Sequence, residues 1–242
     1  MHAFYLPPDA WREPFILEGM EAHHLSHVLR MAVGERVLLL DGAGREGEFR
    51  IAEIQRRQVL LEKLSELTHP RPASGVILAA GWGKAARRGW ILEKAVELEA
   101  AGLWFWQAER SQFPVPKDIR QQWQAQLIAG AKQCHNPWLP ELRTLSGGME
   151  ELVQSARDVS HRQVLVESGH QAQAFLSEDR LAKPGLTLCV VGPEGGLSSR
   201  EVDFLQRAGF EALTMGPRVL RWESAALMAL GLHWWSRQSS LI

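Results

Sequence analysis

The first third of the chain alternates apolar and polar residues in short runs that are typical of β-strands. Three such runs are found at 36–41, 48–54 and 58–64. They follow one stretch with helical spacing, His23–Met31. The segment Thr68–Pro72 then interrupts the pattern, because its two prolines favour an extended backbone. The pattern therefore predicts a small β-rich domain, residues 1–68, that ends at a linker.

Beyond the linker, continuous apolar runs alternate with helical patterns. The apolar runs lie at 75–80, 103–106, 163–167, 186–191 and 210–214. The helical patterns lie at about 86–101, 117–134, 148–157, 198–208 and 222–235. Strands that are apolar along their whole length and separated by helices are typical of a parallel sheet covered on both faces. Residues 72–242 are therefore predicted to form an α/β domain.

Composition and charge narrow the class of protein. The net charge is −1, which argues against a strongly basic nucleic-acid binder. The basic residues concentrate in the middle of the chain, since residues 71–145 hold ten of them against six acidic residues. Cys134 and Cys189 occur in no CxxC spacing, so we expect reduced thiols in a cytoplasmic protein. We expect neither a signal peptide nor a membrane-spanning segment, because no apolar run is long enough.

Two motifs admit a functional interpretation that we do not adopt. Gly42–Gly47 matches GxGxxG, but the run after it alternates like a strand, whereas a dinucleotide site needs a helix there. A glycine-rich hairpin turn is the simpler interpretation. His23 and His27 share a helix face, as zinc ligands can, but no third ligand lies beside them. We therefore expect no metal site.

The informative stretch is residues 186–225. Its first apolar run ends in Gly192–Gly196, where three glycines in five residues let backbone approach a flat ligand closely. Ser198–Glu201 has the pattern of a capping box, so a helix should start directly after this loop. A second run leads into Met215–Arg221, and another helix follows. Two strand–loop–helix units place both loops at the carboxyl edge of a parallel sheet, where open α/β sheets bind ligands.

These residues resemble the ribosomal RNA small subunit methyltransferase E family of SPOUT methyltransferases. The resemblance is carried by GPEGGLSSRE (192–201), GPRVLRWESA (216–225) and HHLSHVLRMAVGERVLLLDG (23–42). Lys84, residues 93–98 and residues 109–111 match the central pattern of the family. The resemblance covers nearly the whole chain. It implies an N-terminal PUA-like β-barrel and a C-terminal SPOUT α/β domain whose backbone forms a deep trefoil knot.

The family also implies a cofactor and the residues that bind it. S-adenosylmethionine would lie bent in the knot loops, close to the interface of a homodimer. On this sequence the implied cofactor-binding residues are Glu167, Gly192, Pro193, Glu194, Gly195, Gly196, Leu197, Met215, Gly216 and Leu220. The implied reaction is methylation of a specific uridine at N3 in 16S ribosomal RNA of the small subunit.

Uridine N3 keeps a proton, so the site must help to remove it and must stabilise charge on the uracil carbonyl oxygens. We expect Arg221 to supply the electrostatic stabilisation, and Glu223 to accept a proton or to orient Arg221. Arg218 could hold phosphate or share the task of Arg221. The further candidates for holding RNA phosphates are Arg30, Lys84, Lys94 and Arg110.

Three positions depart from the family pattern and leave alternatives open. Trp222 stands where threonine is usual, while Lys132 and Asn136 replace an acidic and a basic residue. These changes are compatible with a SPOUT-like RNA-binding protein of altered base specificity or lost catalysis. A third possibility is an enzyme that binds a phosphate or a dinucleotide through Gly192–Gly196.

Overall fold

The computed structural model describes residues 1–167 and 172–238, and these form two compact units. The first unit comprises residues 1–71 together with 128–139. The second comprises 72–127 and the described residues from 140 onward. Sequence patterning separates the chain at the same linker but assigns 128–139 to the second domain. The last four residues of that predicted domain, 239–242, lie outside the described residues, as do 168–171.

The first unit is built on a six-stranded, mostly antiparallel sheet. Its strands are β1 (Ala3–Tyr5), β2 (Phe15–Glu18), β3 (Arg36–Leu40), β4 (Arg45–Ile54), β5 (Gln58–Lys63) and β6 (Leu67–Thr68). They lie in the order β1-β3-β4-β5-β2, with β6 beside β4. Helix α1 (Gly19–His23) continues into a π-helical turn, His24–Val28, so the helix begins earlier than its spacing predicts. Buried aromatic rings, among them Phe4 and Phe49, fill the core of this unit.

The glycine-rich stretch after β3 is a hairpin turn, as predicted. Gly42 and Gly44 have positive φ angles of 75° and 99°, which glycine adopts without strain. The buried Asp41 carboxylate accepts hydrogen bonds from the backbone N–H groups of Ala43 (2.7 Å) and Arg45 (2.9 Å). These bonds satisfy the donors of the turn, which leads directly into β4.

Contacts between residues distant in sequence explain why 128–139 belongs to the first unit. The indole of Trp138 lies so close to Gly44 that an added Cβ would be 2.4 Å from it. Lys132 Nζ forms an ion pair of 2.6 Å with the carboxylate of Glu21, and both side chains are mostly buried. Asn136 Oδ1 accepts a hydrogen bond from the backbone N–H of Trp138. Lys132 and Asn136 thus have structural partners in this unit.

The second unit contains a seven-stranded sheet in which every pairing is parallel, which confirms the predicted α/β class. Its strands are β7 (Gly75–Gly81), β8 (Gly102–Trp106), β9 (Glu141–Leu145), β10 (His161–Leu165), β11 (Ala174–Phe175), β12 (Leu186–Val191) and β13 (Glu211–Thr214). The order is β11-β13-β10-β12-β7-β8-β9. The helices that begin in this unit are α2 (Ala85–Glu97), α3 (Gln121–Cys134), α4 (Gly148–Ser155), α5 (Glu178–Leu181), α6 (Ser199–Arg207) and α7 (Trp222–Gln238). The residues of α3 from 128 onward belong to the first unit.

The strand order determines where the loops meet. Strands β13, β10 and β12 are neighbours and all run in one direction, so the loops at their carboxyl ends share one edge of the sheet. The sheet is held by buried side chains such as Leu188 and Val190, each of which contributes roughly 1.5–3 kcal/mol by its burial. Among the described residues, no helix is both long and apolar enough to cross a membrane.

Candidate active site

The loop Gly192–Leu197 is fixed between strand β12 and helix α6. The Ser198 hydroxyl accepts a hydrogen bond from the backbone N–H of Glu201 (3.1 Å), and the Glu201 carboxylate accepts one from the backbone N–H of Ser198 (2.8 Å). This reciprocal pair is the predicted capping box. The second oxygen of Glu201 accepts a hydrogen bond from the backbone N–H of Glu109 (2.8 Å). The fully buried Glu201 therefore ties the end of the loop to the segment after β8.

The second predicted loop runs from Met215 to the start of α7. The Thr214 hydroxyl donates a hydrogen bond to the Gly216 carbonyl (3.1 Å) and accepts one from the Gly216 N–H (3.3 Å). Gly216 has a φ of 133°, a conformation that L-residues rarely adopt. The turn at Gly216 thus allows the chain to leave β13 and to enter α7 along the same edge as Gly192–Leu197.

These two loops and the end of β10 enclose one cavity of about 800 Å³. That volume lies within the range of small-molecule sites, roughly 300–1,000 Å³. All ten residues that the resemblance implies for the cofactor line its wall: Glu167, Gly192, Pro193, Glu194, Gly195, Gly196, Leu197, Met215, Gly216 and Leu220. The apolar residues Leu165, Val166 and Val202 also line the cavity. The structure thus brings together residues that lie 53 positions apart in the chain, from Glu167 to Leu220.

The wall of the cavity is mainly basic at its charged positions. Arg87, Arg110, Arg218 and Arg221 line it, against only Glu167 and Glu194 among the acidic lining residues. Arg110 Nη1 also donates a hydrogen bond to the carbonyl of Gly195 (3.0 Å), so one of the predicted phosphate-binding residues holds the glycine-rich loop. Such a wall attracts anionic groups to the mouth of the cavity.

Glu194 connects the glycine-rich loop to the segment between β7 and α2. Its carboxylate accepts a hydrogen bond from the backbone N–H of Lys84 (2.9 Å), while the Lys84 side chain is exposed. Arg88 donates to the carbonyl of Gly83 and lies over the Trp82 ring at 3.8 Å. Burial lowers the pKa of Arg88, and the nearby charge of Arg120 lowers it further. Arg88 therefore supports the segment that holds Glu194.

Glu223 and Arg221 occupy different environments although they are two residues apart. Arg221 lines the cavity and is exposed. Glu223 is mostly buried, and its carboxylate forms an ion pair of 2.9 Å with Arg87 Nη1 of helix α2. Sequence reasoning did not single out Arg87, although it lies in the basic middle of the chain. Arg87 could be found only from the rotation of α2 about its axis. That rotation buries the neighbouring Arg88 and places Arg87 beside Glu223.

Three further positions were noted in the sequence. Lys94 and Arg30 do not line the cavity, whereas Trp222 does. Lys94 pairs with Glu97 on the exposed side of α2. Arg30 is an exposed residue of the first unit with a φ of 54°. Trp222 lines the cavity but is only 3% exposed, so its indole is packed at the start of α7.

Cys189 lies on β12, directly before the glycine-rich loop, and is fully buried. Burial raises the pKa of its thiol to about 12. The thiol therefore stays protonated at neutral pH and is unsuited to act as a nucleophile.

Comparison with protein families and curated proteins adds independent evidence. A family described as the RNA methyltransferase domain matches residues 70–234, and one described as the RNA methyltransferase PUA domain matches residues 17–64. The chain is 30% identical to the ribosomal RNA small subunit methyltransferase E of Mycobacterium bovis, over 89% of this chain and 84% of the relative. It is 28% identical to the protein of that name from Bacillus subtilis, over 89% and 88% of the two chains.

Solved structures with the same fold contain a bound ligand. The ribosomal RNA small subunit methyltransferase E of Neisseria gonorrhoeae, bound to S-adenosylmethionine, matches with a TM-score of 0.80 and 26% identity over 95% of each chain. A methyltransferase structure from Legionella pneumophila, also in complex with S-adenosylmethionine, matches with a TM-score of 0.80 and 28% identity over 96% of each chain.

Proposed function

Because this chain belongs to the ribosomal RNA small subunit methyltransferase E family, we propose that it transfers a methyl group from S-adenosylmethionine to N3 of a specific uridine in 16S ribosomal RNA. The observation that carries the proposal is the single cavity at the carboxyl edge of the parallel sheet, lined by both glycine-containing loops. Its RNA substrate is the small ribosomal subunit, and its place of action is the cytoplasm.

The cavity suits the chemical groups of S-adenosylmethionine. Gly192, Gly195 and Gly196 offer backbone without side chains, and no atom lies within 4 Å of the position of a Cβ on Gly216. Apolar walls suit an adenine ring, while Glu167 and Glu194 offer negative charge for a cationic ligand. When bound, the cofactor supplies a methyl group on a sulfonium, which is a good leaving group.

The protein must align the uracil ring and stabilise the charge that develops when N3 loses its proton. Arg221 is exposed in the cavity wall, and we assign to it the stabilisation of the uracil carbonyl oxygens. The Arg87–Glu223 ion pair holds the first turn of α7, so we assign to Glu223 the positioning of Arg221. Arg218, on the same loop, holds a phosphate of the RNA.

The target uridine must be unpaired or flipped out, because N3 lies on the Watson–Crick edge of the base. Arg110 and Arg218 in the cavity wall are the phosphate contacts closest to the reaction. We propose three further phosphate contacts. They are Lys84 and Lys94, on or beside α2, and Arg30 in the PUA-like unit. The small excess of positive charge in the cavity wall then steers the RNA to the site, and it contributes little to sequence-independent RNA affinity.

We further propose that the enzyme is a homodimer and that the backbone of the second unit forms a deep trefoil knot. Helices α2 and α7 pack against each other, and each exposes large apolar side chains. Those exposed side chains are Trp90, Met228 and Trp235. A second copy of the chain would cover them, and the mass of the protein in solution, measured by light scattering, would then be twice that of one chain.

Calorimetry and methyl transfer together test this function. We expect one S-adenosylmethionine per chain and transfer of its labelled methyl group to small subunits. Arg221→Ala should retain cofactor binding and lose methyl transfer by a factor of about 10² or more, the usual effect of removing one electrostatic donor. Intact transfer by Arg221→Ala would remove Arg221 from the chemistry. Binding of a dinucleotide without any response to S-adenosylmethionine would refute the function itself.

A further inference from the structure

We propose that Phe113 is a stacking platform for an unpaired nucleobase of the RNA substrate, beside the mouth of the cofactor cavity. The proposal rests on the proposed function, because it describes the acceptor side of the same site. It concerns residues 109–120, ERSQFPVPKDIR, which join strand β8 to helix α3.

The backbone on both sides of Phe113 is held in place. Before it, the Ser111 hydroxyl accepts a hydrogen bond from the backbone N–H of Ala108 (3.2 Å), and the Ser111 N–H donates to the Ala108 carbonyl (3.1 Å). After it, the backbone N–H of Val115 donates to the side-chain oxygen of Gln107 (2.8 Å), and the Val115 side chain is buried. The peptide around Phe113 is therefore a fixed turn whose apex faces outward.

The Phe113 ring occupies that apex and is 60% exposed. Its neighbours Gln112 and Pro114 are exposed as well, and a residue that precedes proline is restricted to extended conformations. The backbone around Phe113 is therefore restrained while the ring is open to solvent, so ordering this segment on binding costs little entropy. Proteins that bind unpaired RNA use such rings as surfaces on which bases stack, whatever the base.

The same segment connects directly to the cofactor cavity. Arg110 lies in the cavity wall and donates to the carbonyl of Gly195 in the glycine-rich loop. Phe113 lies three positions after Arg110 in the chain, so their Cα atoms are at most about 11 Å apart. When the target uridine leaves its stack to enter the cavity, its neighbours lose a stacking partner. Phe113 is near enough to replace that partner for one of them.

The charges around Phe113 favour nucleic acid over an apolar partner. Arg110, Lys117 and Arg120 lie on the same segment and outnumber its two acidic residues, Glu109 and Asp118; all five are exposed. The acidic Glu109 lies 3.8 Å from Arg200, which offsets its charge. A phosphate backbone that follows these cations would bring its bases to the ring, whereas an apolar protein surface would have to exclude water from three charged side chains.

The test compares two substitutions at Phe113 with a matched one elsewhere. Phe113→Leu keeps the apolar bulk but removes the π-face, whereas Phe113→Trp keeps it. Phe175→Leu is the control, because Phe175 is 57% exposed and lies on β11, at one edge of the sheet. Phe113 follows β8, which lies next to the opposite edge strand, β9. The measurement is the Kd for small ribosomal subunits that lack the methyl group, with S-adenosylhomocysteine present to prevent turnover.

We expect Phe113→Leu to raise this Kd by about five- to a hundredfold, the range for loss of one stacked base. The Kd of Phe113→Trp and of Phe175→Leu should stay near the wild-type value. The salt dependence of binding should be unchanged in Phe113→Leu, because stacking releases no counterions. Affinity for S-adenosylmethionine and the melting temperature should also be unchanged, since Phe113 is mostly exposed and does not line the cavity.

Wild-type affinity in Phe113→Leu would overturn the proposal. Equal losses of RNA affinity in Phe113→Leu and Phe113→Trp would also overturn it, because they would indicate a requirement for shape rather than stacking. A variant that changes the oligomeric state and leaves the RNA affinity unchanged would overturn it as well. A wild-type protein that binds subunits but transfers no methyl group would refute the proposed function alone. In that case the Kd series still decides the role of Phe113.

Discussion

At the scale of single residues, the cofactor cavity depends on glycines outside its wall as well as in it. Gly81 is the last residue of β7, and a Cβ added to it would lie 2.5 Å from the backbone nitrogen of Pro193 and 2.8 Å from the carbonyl carbon of Gly192. Real Cβ atoms do not come so close, and both neighbours are backbone. Any larger residue at this position must therefore displace the glycine-rich loop.

We predict that Gly81→Ala lowers the affinity for S-adenosylmethionine at least tenfold and destabilises the fold by about 1–3 kcal/mol, the usual cost of overpacking. Calorimetry and urea unfolding measure the two effects. The matched control is Gly89→Ala in α2, where the added Cβ would meet only the flexible end of the Gln126 side chain, at 3.1 Å. That change should be neutral or should stabilise the helix by up to about 1 kcal/mol. Equal cofactor affinity in both variants would contradict the account.

His233 on α7 makes stability depend on pH. Burial lowers its pKa to about 4, and the charge of Arg237 adds to the effect. The unfolded chain, with a pKa near 6.5, therefore binds more protons than the folded chain between pH 4 and 6.5. The contribution of neutral His233 is complete above that window and is lost as the pH falls through it.

We predict that His233→Gln flattens this dependence. The free energy of unfolding of the wild type should fall by on the order of 3 kcal/mol more than that of the variant between pH 7.5 and pH 4. Urea titrations of both proteins at several pH values measure this difference. The contributions of the other histidines cancel, because both proteins contain them. Parallel pH curves for the two proteins would show that His233 does not titrate as described.

The sequence predicts the residues of the cavity better than it predicts their supports. Gly192–Gly196 and Gly216 are visible because glycines next to a capping box or a strand end form a local pattern. Arg87 and Arg88 are invisible because their roles depend on the rotation of α2 against α7 and against Trp82. Whether each cavity residue binds S-adenosylmethionine stays a prediction.

At the scale of elements, the ion pair between Arg87 and Glu223 joins α2 to the first turn of α7. Because the Glu223 side chain is only 14% exposed, removal of its partner leaves a poorly solvated carboxylate. Arg221 lies one residue before that helix, so any shift of the first turn moves it.

We predict that Arg87→Glu lowers methyl transfer about tenfold or more, and that Arg87→Glu combined with Glu223→Arg restores part of the loss. Recovery is expected because the exchanged charges attract again across the same distance. The control is Arg180→Glu, which breaks a partly exposed pair with Glu211 outside the cavity wall and should leave methyl transfer near the wild-type rate. Additive losses in the double variant would show that the two residues act separately.

Local signals locate the long elements closely and miss the short ones. The helix predicted from Ser198 is α6, and the helix predicted from Trp222 is α7. Both could be predicted because helix caps and apolar spacing depend only on residues that are close in sequence. Strand β11 has two residues and α5 has four, too few to form a pattern. The assignment of 128–139 to the first unit depends on Trp138 and Lys132 finding partners more than 90 residues earlier, which no local pattern records.

At the scale of the whole molecule, the order of the parallel strands creates the site. Apolar runs predict that the strands are buried but not which strands pair. The order β11-β13-β10-β12-β7-β8-β9 places β13, β10 and β12, which come from the second half of the chain, side by side. Their loops then close one cavity. Catalysis by this arrangement is the central claim.

That claim is tested most directly by mapping 3-methyluridine in 16S ribosomal RNA from a strain that lacks this gene, with and without the gene restored. The account predicts one uridine that is unmethylated in the deletion strain, is methylated at N3 after restoration, and stays unmethylated when Arg221→Ala is restored instead. Identical 3-methyluridine content in all these strains would contradict it.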